Sequence, residues 1–161
     1  MAERAVVVRI TGVRFSPFAL NKEMKILFIC KYNAFRSRIA EEYFKKINKN
    51  PKIKAISRGL LMGGKPDKEA VEIPKELLGI NIIKRKPLPV KIQELVEADL
   101  IVVVANDIPK RIFDYQLINL KKKLVIWKIK DEQKRNKRNI KKITLTIKKR
   151  IDKLNRKLER K

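Results

Sequence analysis

Ile26-Leu27-Phe28-Ile29-Cys30 runs directly into Lys31-Tyr32-Asn33-Ala34-Phe35-Arg36-Ser37, and from Arg36 to Ile47 the apolar residues Ile39, Ala40, Tyr43, Phe44 and Ile47 recur at three- and four-residue spacing. The first five residues are continuously apolar, as a strand covered on both faces must be. The spaced set is one face of an amphipathic helix. Strand, short loop and helix therefore follow one another without a break. Three further runs read as buried strands: Ile53–Ser57, Leu100–Val104 and Leu124–Trp127. Helical patterns fall between and after them. Asp67–Leu78 begins beside Pro66 and stops before Gly79, and Asn139–Leu158 carries Ile140, Ile143, Ile147, Ile151, Leu154 and Leu158 on one side. Strands alternating with helices predict an α/β fold, a single-domain four-stranded parallel sheet flanked by helices.

Residues 1–23 stand outside this alternation. They read as an N-terminal extension or leader, either an appendage or a misplaced start, with Ala5–Ile10 as an added edge strand. Residues 24–161 read as the domain proper, ending in a basic helix. Lys128–Arg138 is the least apolar stretch and reads as a solvated loop.

A chain of 161 residues suits one domain. Lys and Arg number 42 against 17 Asp and Glu, a net charge of +25, and more than half of that excess follows Lys121. Such a field attracts phosphate esters, nucleic acid or acidic surfaces. It is also the ordinary exterior of an ion-rich, heat-stable protein. The single cysteine excludes an intramolecular disulfide and fits a reducing compartment. With no histidine, His-based triads and His-containing zinc sites are excluded at once. No apolar run approaches the ~18 residues of a membrane span, and residues 1–23 lack the uninterrupted apolar block of a signal peptide. The expectation is a soluble cytoplasmic protein with no membrane partner.

The chemistry lies in the first loop. Five residues between Cys30 and Arg36 lead into a helix N-terminus, where backbone N–H groups and the helix dipole converge on one anion. The same field favours a thiolate. The Arg36 fork matches two phosphate oxygens, and the Ser37 hydroxyl is placed to donate to sulfur. A cysteine in an apolar strand is by itself an ordinary small hydrophobe. Its position at a strand–loop–helix junction is what singles it out.

At these residues the chain resembles the low-molecular-weight protein tyrosine phosphatases, whose fold also hosts arsenate reductases. Ala40-Glu41, Ser57-Arg58-Gly59, Glu97-Ala98-Asp99-Leu100-Ile101 and Trp127-Lys128-Ile129-Lys130-Asp131 extend the likeness over about residues 24–158. The resemblance implies Cys30 as nucleophile forming a cysteinyl-phosphate. It implies Arg36 as the group holding the phosphoryl oxygens and Asp131 as general acid, then base. Lys31, Tyr32, Asn33, Ala34, Phe35, Arg36 and Ser37 form the substrate-binding loop, supported by Asn33, Ser37 and Ser57. No metal and no cofactor are implied.

Three departures stand out: Tyr32 replaces a glycine, Phe35 replaces a second cysteine, and Asp131-Glu132-Gln133 replaces an Asp-Pro-aromatic triplet. A positive φ at Tyr32 would store strain. Glu132 is a substitute acid, and the missing aromatic removes a wall for a substrate ring. The expected function is phosphomonoester hydrolysis, most plausibly of phosphotyrosine, with a phosphorylated protein or small phosphomonoester as partner. The alternatives are arsenate reduction through an external thiol, and nonspecific nucleic-acid binding on a degenerate phosphatase fold.

Other patterns are weaker. Gly59-Leu60-Leu61-Met62-Gly63-Gly64-Lys65-Pro66 nearly matches a nucleotide-binding loop but lacks its Ser or Thr, and reads as a connection. Glu97, Asp99, Asp107 and Asp114 fit no metal-loop spacing and read as solvated charges and helix caps. Trp127 and Phe113 read as core.

Overall fold

The computed structural model describes residues 9–10, 13–14, 22–114, 120–131 and 136–160. Two short strands, β1 (Arg9–Ile10) and β2 (Val13–Arg14), pair with each other in an antiparallel sheet of their own. The part of the expected Ala5–Ile10 strand that is described thus closes a local hairpin and does not extend the main sheet; the rest lies outside the described residues.

The main sheet contains β3 (Met24–Cys30), β4 (Ile53–Gly59), β5 (Leu100–Val104) and β6 (Leu124–Trp127). All pairs are parallel and the spatial order is β4-β3-β5-β6. β3 and β4 outrun the apolar runs that announced them, because the ladder continues from Met24 opposite Ile53 to Cys30 opposite Gly59. Every residue of β5 is buried, as a central parallel strand with helices on both sides requires.

Helices α1 (Arg36–Ile47), α2 (Lys68–Leu78) and α5 (Lys137–Glu159) fall where the periodicity places them. Asp67 is the N-cap of α2, and Gly79 ends it with φ +63°, a left-handed conformation that glycine takes freely. α5 starts two residues earlier than the apolar stripe predicts, because the Asn136 side chain accepts from the N–H groups of Arg138 and Asn139. The short helices α3 (Ile92–Glu97) and α4 (Arg111–Asp114) are too brief to show a period in sequence.

Alternation along the strands splits the core into two layers. Ile26, Phe28, Val102, Val104 and Trp127 pack under α1 and α5 with Ile39, Phe44, Ile147 and Ile151. Leu27, Ile29, Ile101, Val103, Phe113 and Leu120 fill the opposite face. Phe28 stands between Phe44 and Trp127 with ring centroids 6.2 Å from each. Such aromatic contacts add to area burial. Tyr43 of α1 donates to Asp152 of α5 at 2.7 Å and fixes how the two helices meet.

The first strand of this sheet, β3, lies inside it. The chain leaves to one side to form β4, then crosses to the other to form β5. Ligands of open α/β sheets bind at the carboxyl end of such a switch point, and Cys30 is the last residue of β3.

Candidate active site

Cys30 ends a buried strand and is itself only 3% exposed. Its Sγ accepts from the Asn33 N–H at 3.3 Å and lies 3.0 Å from Ser37 Oγ. Ser37 Oγ also receives Asn33 Nδ2 at 2.9 Å. An amide nitrogen only donates, so the Ser37 proton stays free for the sulfur. With Cys30 ionised, two donors converge on Sγ.

α1 begins directly beyond. Phe35 caps it without a side-chain hydrogen bond, and no acidic residue stands in the first turn. The positive end of the helix is thus not neutralised locally.

Asn33 organises the loop. Its φ is +54°, the one positive value among the described non-glycine residues. The strain considered for Tyr32 is therefore absent from that residue; it falls on asparagine, which tolerates the left-handed region better than most. Asn33 is fully buried. Its Nδ2 donates to Ser37 Oγ and Ser57 Oγ, both at 2.9 Å. Its Oδ1 accepts from Arg85 Nη1 at 3.1 Å and Leu88 N at 3.0 Å. Two donors and two acceptors are all a carboxamide has, so every one is used.

Beneath this amide, Ser57 Oγ donates to Glu41 Oε2, which also accepts from Arg85 Nη2 at 2.9 Å. Lys45 reaches Glu41 Oε1 at 2.6 Å. Burial pushes the Glu41 carboxyl up, but hydrogen bonds from Lys45 and Ser57 and the charges of Lys45 and Arg85 outweigh it, holding the group below the usual glutamate range.

Arg36 is buried, and its guanidinium faces the loops after β5 and β6. Nη1 donates to Ile129 O at 2.8 Å, while Nη2 meets Asp107 Oδ1 and Oδ2 at 3.1 and 3.3 Å and Asp131 Oδ2 at 3.4 Å. The structure thus brings Asp131 to Arg36, at the end of the first loop and 95 residues away in sequence. Asp107 is a correction to the sequence reading: it is an ion-pair partner of Arg36, not a freely solvated charge. The stretch from Lys128 is likewise more than a solvated loop, since Ile129 is buried and carries the carbonyl that fixes Arg36. Glu132, the substitute acid, lies outside the described residues.

Lys31, Tyr32, Ala34 and Phe35 are half-buried along the loop, with Lys31 Nζ 5.2 Å from the Tyr32 ring centroid. The connection after β4 braces the loop from beside it. Leu60 N donates to Cys30 O at 3.1 Å and Leu61 N to Lys31 O at 2.9 Å. A Cβ on Gly59 would stand 2.8 Å from Asn33 N, and one on Gly63 would collide with Tyr32 O. In the near-match to a nucleotide-binding loop, Gly59 and Gly63 admit the backbone of the Cys30 loop, whereas Gly64 stands in open space.

Glu41, Arg85, Leu88 and the Ile129 carbonyl were given no role in the site from sequence, and Asp107 was weighed only among possible metal ligands. One signal was present for Leu88: Pro87 and Pro89 flank it and lack N–H groups, so it supplies the only donor of that triplet.

The family model "Low molecular weight phosphotyrosine protein phosphatase" matches residues 25–161. A search of curated proteins finds no match. Among solved structures, a low molecular weight protein tyrosine phosphatase from T. tengcongensis is similar, with 28% identity, a TM-score of 0.74, and coverage of 84% of this chain and 99% of that one. The YwlE arginine phosphatase from Geobacillus stearothermophilus shares the fold at 20% identity and a TM-score of 0.73, covering 84% and 93%. An arsenate reductase from Archaeoglobus fulgidus shares it at 24% identity and a TM-score of 0.63, covering 81% and 98%.

Proposed function

Since the chain belongs to the low molecular weight phosphotyrosine protein phosphatase family, a family of cysteine-dependent phosphatases, we propose that it hydrolyses aryl phosphomonoesters, phosphotyrosine in proteins foremost, with Cys30 as nucleophile. The observation that carries this reading is the pair of donors on Cys30 Sγ, the Asn33 N–H and the Ser37 hydroxyl, at the open end of α1. Both stabilise the thiolate before attack and the same sulfur when it later leaves phosphorus.

The steps follow from the placement. The Cys30 thiolate forms the S–P bond as the P–O bond to the alcohol breaks, and Asp131 gives its proton to the departing oxygen. Asp131, now ionised, takes a proton from water, whose oxygen attacks phosphorus and breaks the S–P bond. Orthophosphate leaves and the thiolate is restored. Arg36 carries the negative charge of the equatorial oxygens through both steps. Asp131 makes the longest of its contacts, at 3.4 Å, so an arriving phosphoryl group displaces that one and frees the carboxyl for its acid role. Tyr32, half-buried on the loop two residues after Cys30, supplies an aromatic ring where the Asp-Pro-aromatic triplet is lacking. Among the described residues no helix is long and apolar enough to cross a membrane. We place the reaction in the cytoplasm, where a single thiol stays reduced.

Hydrolysis of p-nitrophenyl phosphate tests the reading. Turnover by the wild type, lost in Cys30→Ser and Arg36→Ala, supports it; equal rates in wild type and Cys30→Ser refute it. Arsenate reduction is the rival on this fold. With one cysteine in the chain it needs an external thiol, so arsenate-dependent oxidation of added thiol, without phosphatase turnover, would replace the proposal. A second reading concerns the outer face of α5. An open groove of about 790 Å³ there is lined by Arg138, Lys141, Lys142 and Lys149, with Lys153 and Arg156 exposed further along. This face suits sequence-independent contact with nucleic-acid phosphates. Duplex affinity that falls steeply with salt supports it; no binding at low salt refutes it.

A further inference from the structure

We propose that Arg85 is a positioning residue for the phosphate-binding loop, holding Asn33 in the left-handed conformation that aims its N–H at Cys30 Sγ. This deepens the phosphatase reading and rests on it.

Arg85 sits on the connection between α2 and α3, 52 residues from Asn33. Its guanidinium reaches five acceptors on four residues. Nη1 donates to Asn33 Oδ1 and Lys86 O, both at 3.1 Å. Nη2 donates to Ser57 O at 2.8 Å, Ser57 Oγ at 3.0 Å and Glu41 Oε2 at 2.9 Å. One planar group therefore touches the Asn33 amide and both residues beneath it.

Charge alone does not account for this placement. Glu41 already has a cation at 2.6 Å in Lys45. What Arg85 adds is direction: a rigid fork that spans Asn33 Oδ1 and Ser57 at once, which a lysine ammonium cannot do. The Asn33 Oδ1 that Arg85 holds is the anchor of a residue at φ +54°. Releasing it lets the loop relax toward negative φ and turns the N–H from sulfur.

The connection that carries Arg85 is itself tied to the catalytic helix. Arg38, buried on α1 two residues past Arg36, donates to the carbonyls of Ile82, Arg85 and Lys86. Burial, and then the charge of Arg85 beside it, lower the Arg38 pKa. The fold keeps two guanidiniums close together here against their repulsion, which fits a site selected for geometry. The path runs from Arg38 through Arg85 and Asn33 to Cys30.

A double-mutant cycle decides the matter. Aryl phosphate turnover and tungstate affinity by calorimetry are measured for wild type, Arg85→Met, Asn33→Ala and the double variant, each checked by thermal melting. Lys84→Met is the control: it removes a neighbouring cation that pairs with Glu42. Arg85→Met is expected to lower kcat about 10- to 100-fold and weaken tungstate similarly, yet to do almost nothing once Asn33 is alanine. Arg85→Lys is expected to fall between wild type and Arg85→Met, and Lys84→Met to match wild type. Equal losses in both Asn33 backgrounds, or wild-type kcat and tungstate binding in Arg85→Met, overturn the inference. Arg85→Lys carries the test should Arg85→Met not fold. If wild type turns over no substrate, the phosphatase reading fails, and the tungstate cycle still judges Arg85.

Discussion

Replacing Asn33 by alanine removes the most completely used side chain of the site. All four of its hydrogen bonds vanish. Ser37 and Ser57 lose a donor but keep Cys30 Sγ and Glu41 as partners, and Arg85 keeps Glu41 and Ser57. The Leu88 N–H loses Asn33 Oδ1, its acceptor in this structure. Leu88 itself is exposed, so its N–H turns to water; the hydrogen bonds lost inside the site, one of them to the charged Arg85, cost about 1–3 kcal/mol in all. A β-carbon residue without Asn's local hydrogen bonds at φ +54° adds about 1–2 kcal/mol. The total is roughly 2–5 kcal/mol, and at about 2–4 °C per kcal/mol for a chain of this size the melting temperature falls by about 4–20 °C. Loss of an aligned donor on the reacting sulfur is expected to lower kcat about 10²–10³-fold, the scale seen for a single preorganised N–H. Asn33→Gly separates the two causes: it loses the same bonds but accepts the backbone angle, so it melts no lower than Asn33→Ala. Thermal denaturation with steady-state aryl phosphate kinetics reads both effects. Melting of Asn33→Ala within about 2 °C of wild type, or clearly above Asn33→Gly, refutes the reasoning.

Asp131→Asn is expected to lower kcat about 10²–10⁴-fold, while its melting temperature stays near wild type, because the side chain is partly exposed and its contact with Arg36 is 3.4 Å long; unchanged turnover would remove Asp131 from the mechanism. Glu41 titrates below its ordinary range in the folded protein, so its contribution is complete above its unfolded pKa and is lost as pH falls through the folded value. Stability is therefore expected to decline on acidification below about pH 4.5, and Glu41→Gln to flatten that decline in a series of melts; identical slopes for the two proteins would contradict this. Gly63→Ala puts a Cβ 2.8 Å from Tyr32 Cβ and closer still to its carbonyl. It should lower both melting temperature and kcat, whereas Gly64→Ala, with open space around it, should leave both unchanged.

Much of the molecule follows from local pattern. Ile26–Cys30 is apolar without interruption, Arg36–Ile47 has a helical period, and the residues between them are too few to form anything but a turn into a helix. Those facts alone put a thiol at a helix N-terminus. The C-cap of α2 was legible for the same reason, since Gly79 acts on its immediate neighbours; Asp67, read as the first helical residue, proves to be the N-cap and makes no side-chain cap hydrogen bond. The short helices α3 and α4 were not, because one or two turns leave no period to detect.

The partners of the site belong to another level. Asp107 reaches Arg36 across 71 residues, Ile129 across 93, and Arg85 reaches Asn33 across 52. In sequence Asp107 is one acid among several and Arg85 one cation within a Lys-Arg-Lys run. Nothing in a one-dimensional pattern tells a charge that faces water from one that faces a guanidinium.

What the chain determined by itself is the reactive unit, a cysteine five residues before an arginine between a strand and a helix, because strand, turn and helix are set by neighbours. What the tertiary structure alone decided is which groups surround that unit. The order β4-β3-β5-β6 places the ends of β5 and β6 beside Arg36 and the end of β4 beside Asn33. That order arises from the packing of whole layers against each other, a balance that no single segment contains.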